Sequence, residues 1–150
     1  MTYTVRAFFK HAHGPDPVIL SSADDVDALV DAVLAEEFGN SVAALYVAER
    51  PKTERGMPDH ELRAAFNSEA GVGGLRYAGT HNDVAGVWYA SGKPSERDEV
   101  FYYYMGHDEG WPKDSEVPIE DVRAAINEFF ESGGNRPATA EWKAWPEAVA

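Results

Sequence analysis

The side chains best suited to proton transfer or metal binding are the five histidines, and their spacing is poor in pattern. His11 and His13 flank one alanine. On an extended segment that spacing puts two imidazoles on one face, where they could chelate a metal. A site needs further ligands, and neither an H-E-x-x-H pattern nor any cysteine supplies them. A solvated turn is the simpler reading, so no metal and no other cofactor is expected. His107 stands beside Asp108 and Glu109, while His60 and His81 are isolated. A loop histidine next to two acids is more often a surface residue than a general base. Nucleophilic chemistry has less to start from. There is no cysteine and no G-x-S-x-G, and the serines lie at caps and turns. Gly71-Val72-Gly73-Gly74 lacks the lysine of a phosphate-cradling loop and reads as a bend or bulge before Leu75. No catalytic residue is expected. A rival reading remains, a small-molecule-binding or enzymatic α+β domain with a pocket between helix and sheet, using His60, His81 or His107 as acid and base.

Charge narrows the partners. Lys and Arg number 13 against 26 Asp and Glu, a formal net charge of −13. The resulting negative field repels phosphate backbones and anionic lipid and attracts basic surfaces. Neither nucleic acid nor membrane is expected as a partner, although acidity also serves solubility. The absence of cysteine excludes disulfides and suits a reducing cytoplasm. The first residues lack the pattern of a cleaved signal, and no apolar run approaches the roughly 18 residues of a membrane span. The expectation is a soluble, cytoplasmic protein forming one domain over residues 1–150.

The elements that must position these residues follow from periodicity. Tyr3 to Lys10 alternates, with Tyr3, Val5, Ala7 and Phe9 on one face, and predicts a half-buried strand. Residues 11–17 break it, and Val18–Leu20 can return as a short strand. Ser22 is suited to cap a helix, with Asp25 in a capping-box position and acids in the first turn. Val26, Leu29, Val30, Val33, Leu34 and Phe38 recur at helical spacing, and Gly39 is suited to end it. Val42–Glu49 reads as a buried strand. Residues 50–58 form a loop whose Arg50, Lys52 and Arg55 make the one basic island. His60–Asn67 reads as a strand through Leu62, Ala64 and Phe66, or as a short helix. Runs at 74–78, 85–90 and 99–105 read as an antiparallel meander with connections at 79–83 and 91–98. A polar loop over Gly106–Glu116 follows. Pro118 suits the start of a second helix, Ile119, Val122, Ile126, Phe129 and Phe130 form its stripe, and Gly133-Gly134 ends it. Thr139–Trp145 predicts a last strand. The order predicts an α+β fold: a single, mainly antiparallel sheet of about six to seven strands with two helices on one face and the other face partly open.

The aromatics carry more information than the histidines. Tyr102, Tyr103 and Tyr104 are consecutive, so they cannot share a face. The expectation places Phe101 and Tyr103 in the core and Tyr102 and Tyr104 on the opposite face. Trp142 and Trp145, three apart, divide between faces in the same way, as do Trp88 and Tyr89. Trp111 sits in a Gly/Pro-bounded acidic stretch, where it either plugs the core or projects as an anchor.

From about Gly73 onward the chain resembles a known family. The resembling features are G-G-L-R-Y-A-G (73–79), G-V-W-Y, the Y-Y-Y-M-G strand end, W-P-x-x-S-x-V-P (111–118), F-F-E-S-G-G-N-R-P and E-W-K-A-W, with D-H-E-L-R (59–63) before them. Their order is similar to that of the bacterial immunity proteins of polymorphic toxin systems, specifically the family numbered one. The resemblance implies a small cytoplasmic protein, encoded beside a toxin that is often a nucleic-acid deaminase. The immunity protein would bind the toxin domain tightly and cover its active site, with no catalytic residues of its own. A cognate toxin with a basic surface suits a −13 partner. On this reading Asp108, Glu109 and Asp114 pair with toxin cations, and Trp111, Tyr102, Tyr104 and Trp145 serve as anchors. The protein itself is expected to be a monomer or weak homodimer. An adaptor that dimerises through its open sheet face is the other alternative.

Overall fold

Alternation along the first strand is visible in its burial. In β1 (Val5–Phe8), Val5 and Ala7 are buried and Arg6 is exposed. The computed structural model describes residues 3–146. β2 (Val18–Leu20) follows, then α1 (Ala23–Ala35), β3 (Val42–Val47), β4 (Glu61–Asn67), β5 (Val72–His81) and β6 (Val84–Ala90). A hairpin of β7 (Val100–Tyr104) and β8 (His107–Trp111) comes next. The short β9 (Val117–Pro118), α2 (Ile119–Ser132) and β10 (Trp142–Ala144) close the chain. The sheet runs in the spatial order β10-β6-β5-β4-β3-β1-β2, all pairs antiparallel, with β9 also paired to β5. The fold is α+β, as the order of elements predicts. No helix among the described residues is long and apolar enough to cross a membrane.

The two helices share one face of this sheet. Ser22 Oγ accepts from the Asp25 N–H at 3.2 Å, and Asp25 reaches back to the Ser21 N–H at 2.8 Å. Val26, Leu29, Val30 and Val33 of α1 and Val122, Ile126 and Phe129 of α2 bury against Leu45, Leu62, Leu75 and Tyr77 of the strands. Gly133 ends α2 in the left-handed conformation, φ 74°, and the Gly134 N–H returns to the Phe129 carbonyl at 3.0 Å. The other predicted stop is corrected. α1 ends at Ala35, before Gly39, because Glu36 turns extended and bonds to Lys10 and Asn40. Phe38 therefore leaves the helical stripe and is 41% exposed.

The opposite face differs most from expectation. The Val100–Tyr104 run does not extend the meander. It pairs with His107–Trp111, a segment the sequence assigns to a loop, in a separate hairpin that folds over the sheet. Met105 and Gly106, with φ of 50° and 85°, make its two-residue turn. Asn82 and Asp83, with φ of 50° and 65°, do the same between β5 and β6. A second core forms beneath the hairpin from Val42, Ala65, Val100, Tyr102 and Trp111, with Tyr104 and Trp145 packed against it. The facing of the β7 aromatics is thereby inverted. Tyr102 is fully buried against the sheet, while Phe101 and Tyr103 lie on the hairpin's outer, half-exposed side. Only one side of a hairpin packed on a sheet can be covered, and here it is the Tyr102 side. Trp142 and Trp145 do divide, the first joining the helix-side core and the second the hairpin-side core.

Candidate functional site

The hairpin covers only part of its sheet face. Antiparallel partners project to the same side. Arg6 pairs with Ile19 on β2 and with Tyr46 on β3, so these three share the face with Phe8, toward the β2 edge. Next to them a charged network sits at the margin of the hairpin. The Tyr46 hydroxyl donates to the Glu61 carboxylate. Arg63 Nε donates to Glu61 at 2.7 Å and its Nη1 donates to Glu109 of β8, tying hairpin to sheet. Arg76 reaches Glu61 at 3.8 Å. The Arg63 guanidinium lies 4.6 Å from the Tyr104 ring centre, and that of Arg76 lies 4.7 Å from Trp145.

Burial and charge act in opposite senses in this network. Burial alone would weaken the Arg63 charge, but the Glu61 and Glu109 carboxylates outweigh it and hold its pKa above the ordinary value. Arg76 is shifted down, by burial and then by its neighbour Arg63, and its Nε is buried without a partner. The Tyr46 hydroxyl is held protonated by burial and then by the adjacent Glu61 charge.

The seven residues singled out from sequence fall into four environments. Tyr104 and Glu109 belong to the charged margin. Tyr102, Trp111 and Trp145 build the second core. Trp111 is 3% exposed and plugs it, edge-on to both Tyr102 and Trp145 at 5.3 Å. Asp114 lies beyond the hairpin, accepting from the Tyr89 hydroxyl at 2.7 Å and from Lys143 at 2.6 Å. The Lys143 bond, more than any other influence, holds its pKa low. Asp108 is exposed beside Tyr103 on the hairpin's outer side, with no ion pair among the described residues. Sequence reasoning missed Glu61, Arg63, Arg76, Tyr46, Phe8 and Arg6 as one surface. The signal was present, since facing Leu62 and Ala64 inward turns Glu61 and Arg63 to the other side.

The histidines do not converge. His60 is 4% exposed, and both ring nitrogens are engaged. Nε2 accepts from the Val47 N–H at 2.8 Å, and Nδ1 lies 2.8 Å from Asp59, which Arg50 clamps at 3.1 Å. Burial, above all, depresses its pKa. His81 lies against Trp88 and 3.2 Å from the Asn82 amide, and His107 is exposed at the hairpin turn. His11 and His13 sit in a 3-10 turn rather than on one strand face, and His13 Nδ1 accepts from the Phe9 and Lys10 amides. No group of three or more His, Cys, Asp or Glu suited to a metal occurs among the described residues.

A family model described as Immunity protein Imm1 matches residues 14–144, from the turn before β2 to the end of β10, and so includes both helices, the hairpin and the charged margin. Among curated proteins no match is found. With almost the whole chain inside that match, the protein belongs to the Imm1 immunity protein family.

Proposed function

We propose that this protein binds and neutralises a cognate toxin domain through a protein–protein interface, and that the toxin is a nucleic-acid deaminase with a basic surface. The observation that carries the reading is the family match over residues 14–144. The charge of −13 supports it, because a toxin that acts on nucleic acid needs a cationic surface, and an acidic partner is drawn to that surface. The protein acts as one domain and as a monomer or weak homodimer in the cytoplasm, without catalytic residues. The β7–β8 hairpin and the sheet face beside it form the interface. Asp108 and Tyr104 touch the toxin, and Asp114 and Glu109 add to the negative field. Tyr102, Trp111 and Trp145 act from beneath as the rigid base of the hairpin, supported by their burial.

Co-expression with the toxin encoded by the adjacent gene is the test. Cells producing both are expected to survive, and purified toxin domain is expected to co-elute with this protein. A toxin that kills at full strength in its presence would refute the proposal.

A further inference from the structure

The uncovered part of the hairpin-side face contains a groove of about 330 Å³ lined by Arg6, Phe8, Tyr46, Lys52, Pro58 and Tyr104. Its walls are aromatic. Phe8 meets Tyr46 edge-on at 5.8 Å, and Arg63 backs the Tyr104 ring. Its rim is cationic. Arg6 and Lys52 are exposed, and neither has a carboxylate within ion-pair distance among the described residues. Of the acids close by, Glu61 is engaged by Tyr46 and Arg63, and Glu49, which feels the Arg6 charge, is bonded to the Thr4 N–H. On a chain of net charge −13 this groove is a local reversal of sign. The apolar strip continues to the sheet edge through Ile19, which is 49% exposed and pairs with Arg6.

We infer that this groove receives a carboxylate-bearing segment of the toxin partner: an Asp or Glu carried beside an aromatic or branched aliphatic residue. The inference rests on the immunity reading and names the partner chemistry at one place on the interface. Two cations without an ion pair among the described residues line the groove and select an anion. The Phe8 and Tyr46 rings and Ile19 select an apolar neighbour for it. The extended negative field brings a basic partner to the protein. The positive groove then fixes the register and rejects partners that present a cation at this point.

The test uses this protein and the toxin domain encoded beside it, the latter inactivated at its catalytic residue, with binding measured by calorimetry. Arg6→Glu/Lys52→Glu changes only exposed side chains and is expected to leave the unfolding midpoint unchanged while raising Kd roughly 100-fold. Reversing the matching acid of the toxin to Lys is expected to restore binding to that variant. A Phe8→Ala variant is expected to weaken binding roughly tenfold. Kd values within about twofold of wild type for both variants would overturn the groove assignment and leave the immunity reading intact. Wild-type protein that fails to bind the toxin overturns that reading, and the inference with it. A wild-type dimer that the charge reversal converts to monomer assigns the groove to a second copy of this chain and overturns the proposal equally.

Discussion

The Trp111 ring packs against Gly74, with its Cζ3 atom 2.8 Å from the point where a side chain at position 74 would place its Cβ. β5 therefore needs a bare backbone at this position so that the hairpin can close onto the sheet. Gly74→Ala is expected to push the ring off the face and lower stability by about 1–3 kcal/mol. Chemical denaturation measures this, and an unchanged midpoint would show that Trp111 does not seat the hairpin.

Tyr102 gives the opposite expectation. Its hydroxyl is buried with the Arg97 guanidinium as its charged neighbour but no well-formed hydrogen bond among the described residues, and burial pushes its pKa up to about 12. A buried, unsatisfied polar group costs about 1–3 kcal/mol. Tyr102→Phe keeps the ring contacts with Trp111 and should raise stability by up to about 1 kcal/mol. A loss of stability greater than the error of the unfolding measurement would place a bonding partner on that oxygen.

His60 makes stability pH-dependent. Its ordinary pKa of 6.5 applies to the unfolded chain, and burial depresses the folded value below it. Above pH 6.5 both states are neutral and its contribution is complete. As pH falls from 6.5 toward the folded pKa, the unfolded chain takes up a proton that the folded protein refuses, and stability is lost across that window. His13, shifted down by burial and then by Lys10, acts in the same sense. His60→Asn should be less stable at pH 7.5 and show a flatter decline toward pH 5.5. A decline as steep as that of wild type would assign the effect elsewhere.

Asp108 tests the hairpin's outer side. It is exposed and has no ion pair among the described residues, so Asp108→Lys should leave the thermal midpoint unchanged. If the hairpin faces a basic toxin, the association rate should fall about tenfold, with a weaker salt dependence than wild type. Stopped-flow mixing at two ionic strengths measures both, and an unaltered rate would remove Asp108 from the interface.

Local chemistry made much of the fold legible. The Ser22 cap, the α2 stripe and its Gly133 stop, and the strand through Leu62, Ala64 and Phe66 need only neighbouring residues to specify them. The hairpin needed tertiary information. Alternation in Val100–Tyr104 states that two faces exist, not which is covered. His107-Asp-Glu-Gly has low strand preference and is held as a strand by its partner and by the Met105-Gly106 turn. The charged margin was hidden for a related reason. Arginine and glutamate on a strand read as solvent-facing, and Arg63 is only 18% exposed because Glu109, from a strand distant in sequence, joins Glu61 of its own strand around it.

The β7–β8 hairpin shares no strand ladder with the main sheet. Its backbone bonds to the rest run to the turn before β3: Ser41 N–H to the Tyr103 carbonyl, Tyr103 N–H to Ser41 Oγ and Gly106 N–H to the Gly39 carbonyl. Lifting the hairpin would leave the sheet ladders and the helix-side core intact, but would open the Tyr102–Trp111 core and part Glu109 from Arg63. The hairpin's amide protons are expected to exchange with solvent at a lower free-energy cost than those of the central strands β4 and β5. A partner that seated on this flap would slow its opening, so amide exchange in the hairpin would report occupancy.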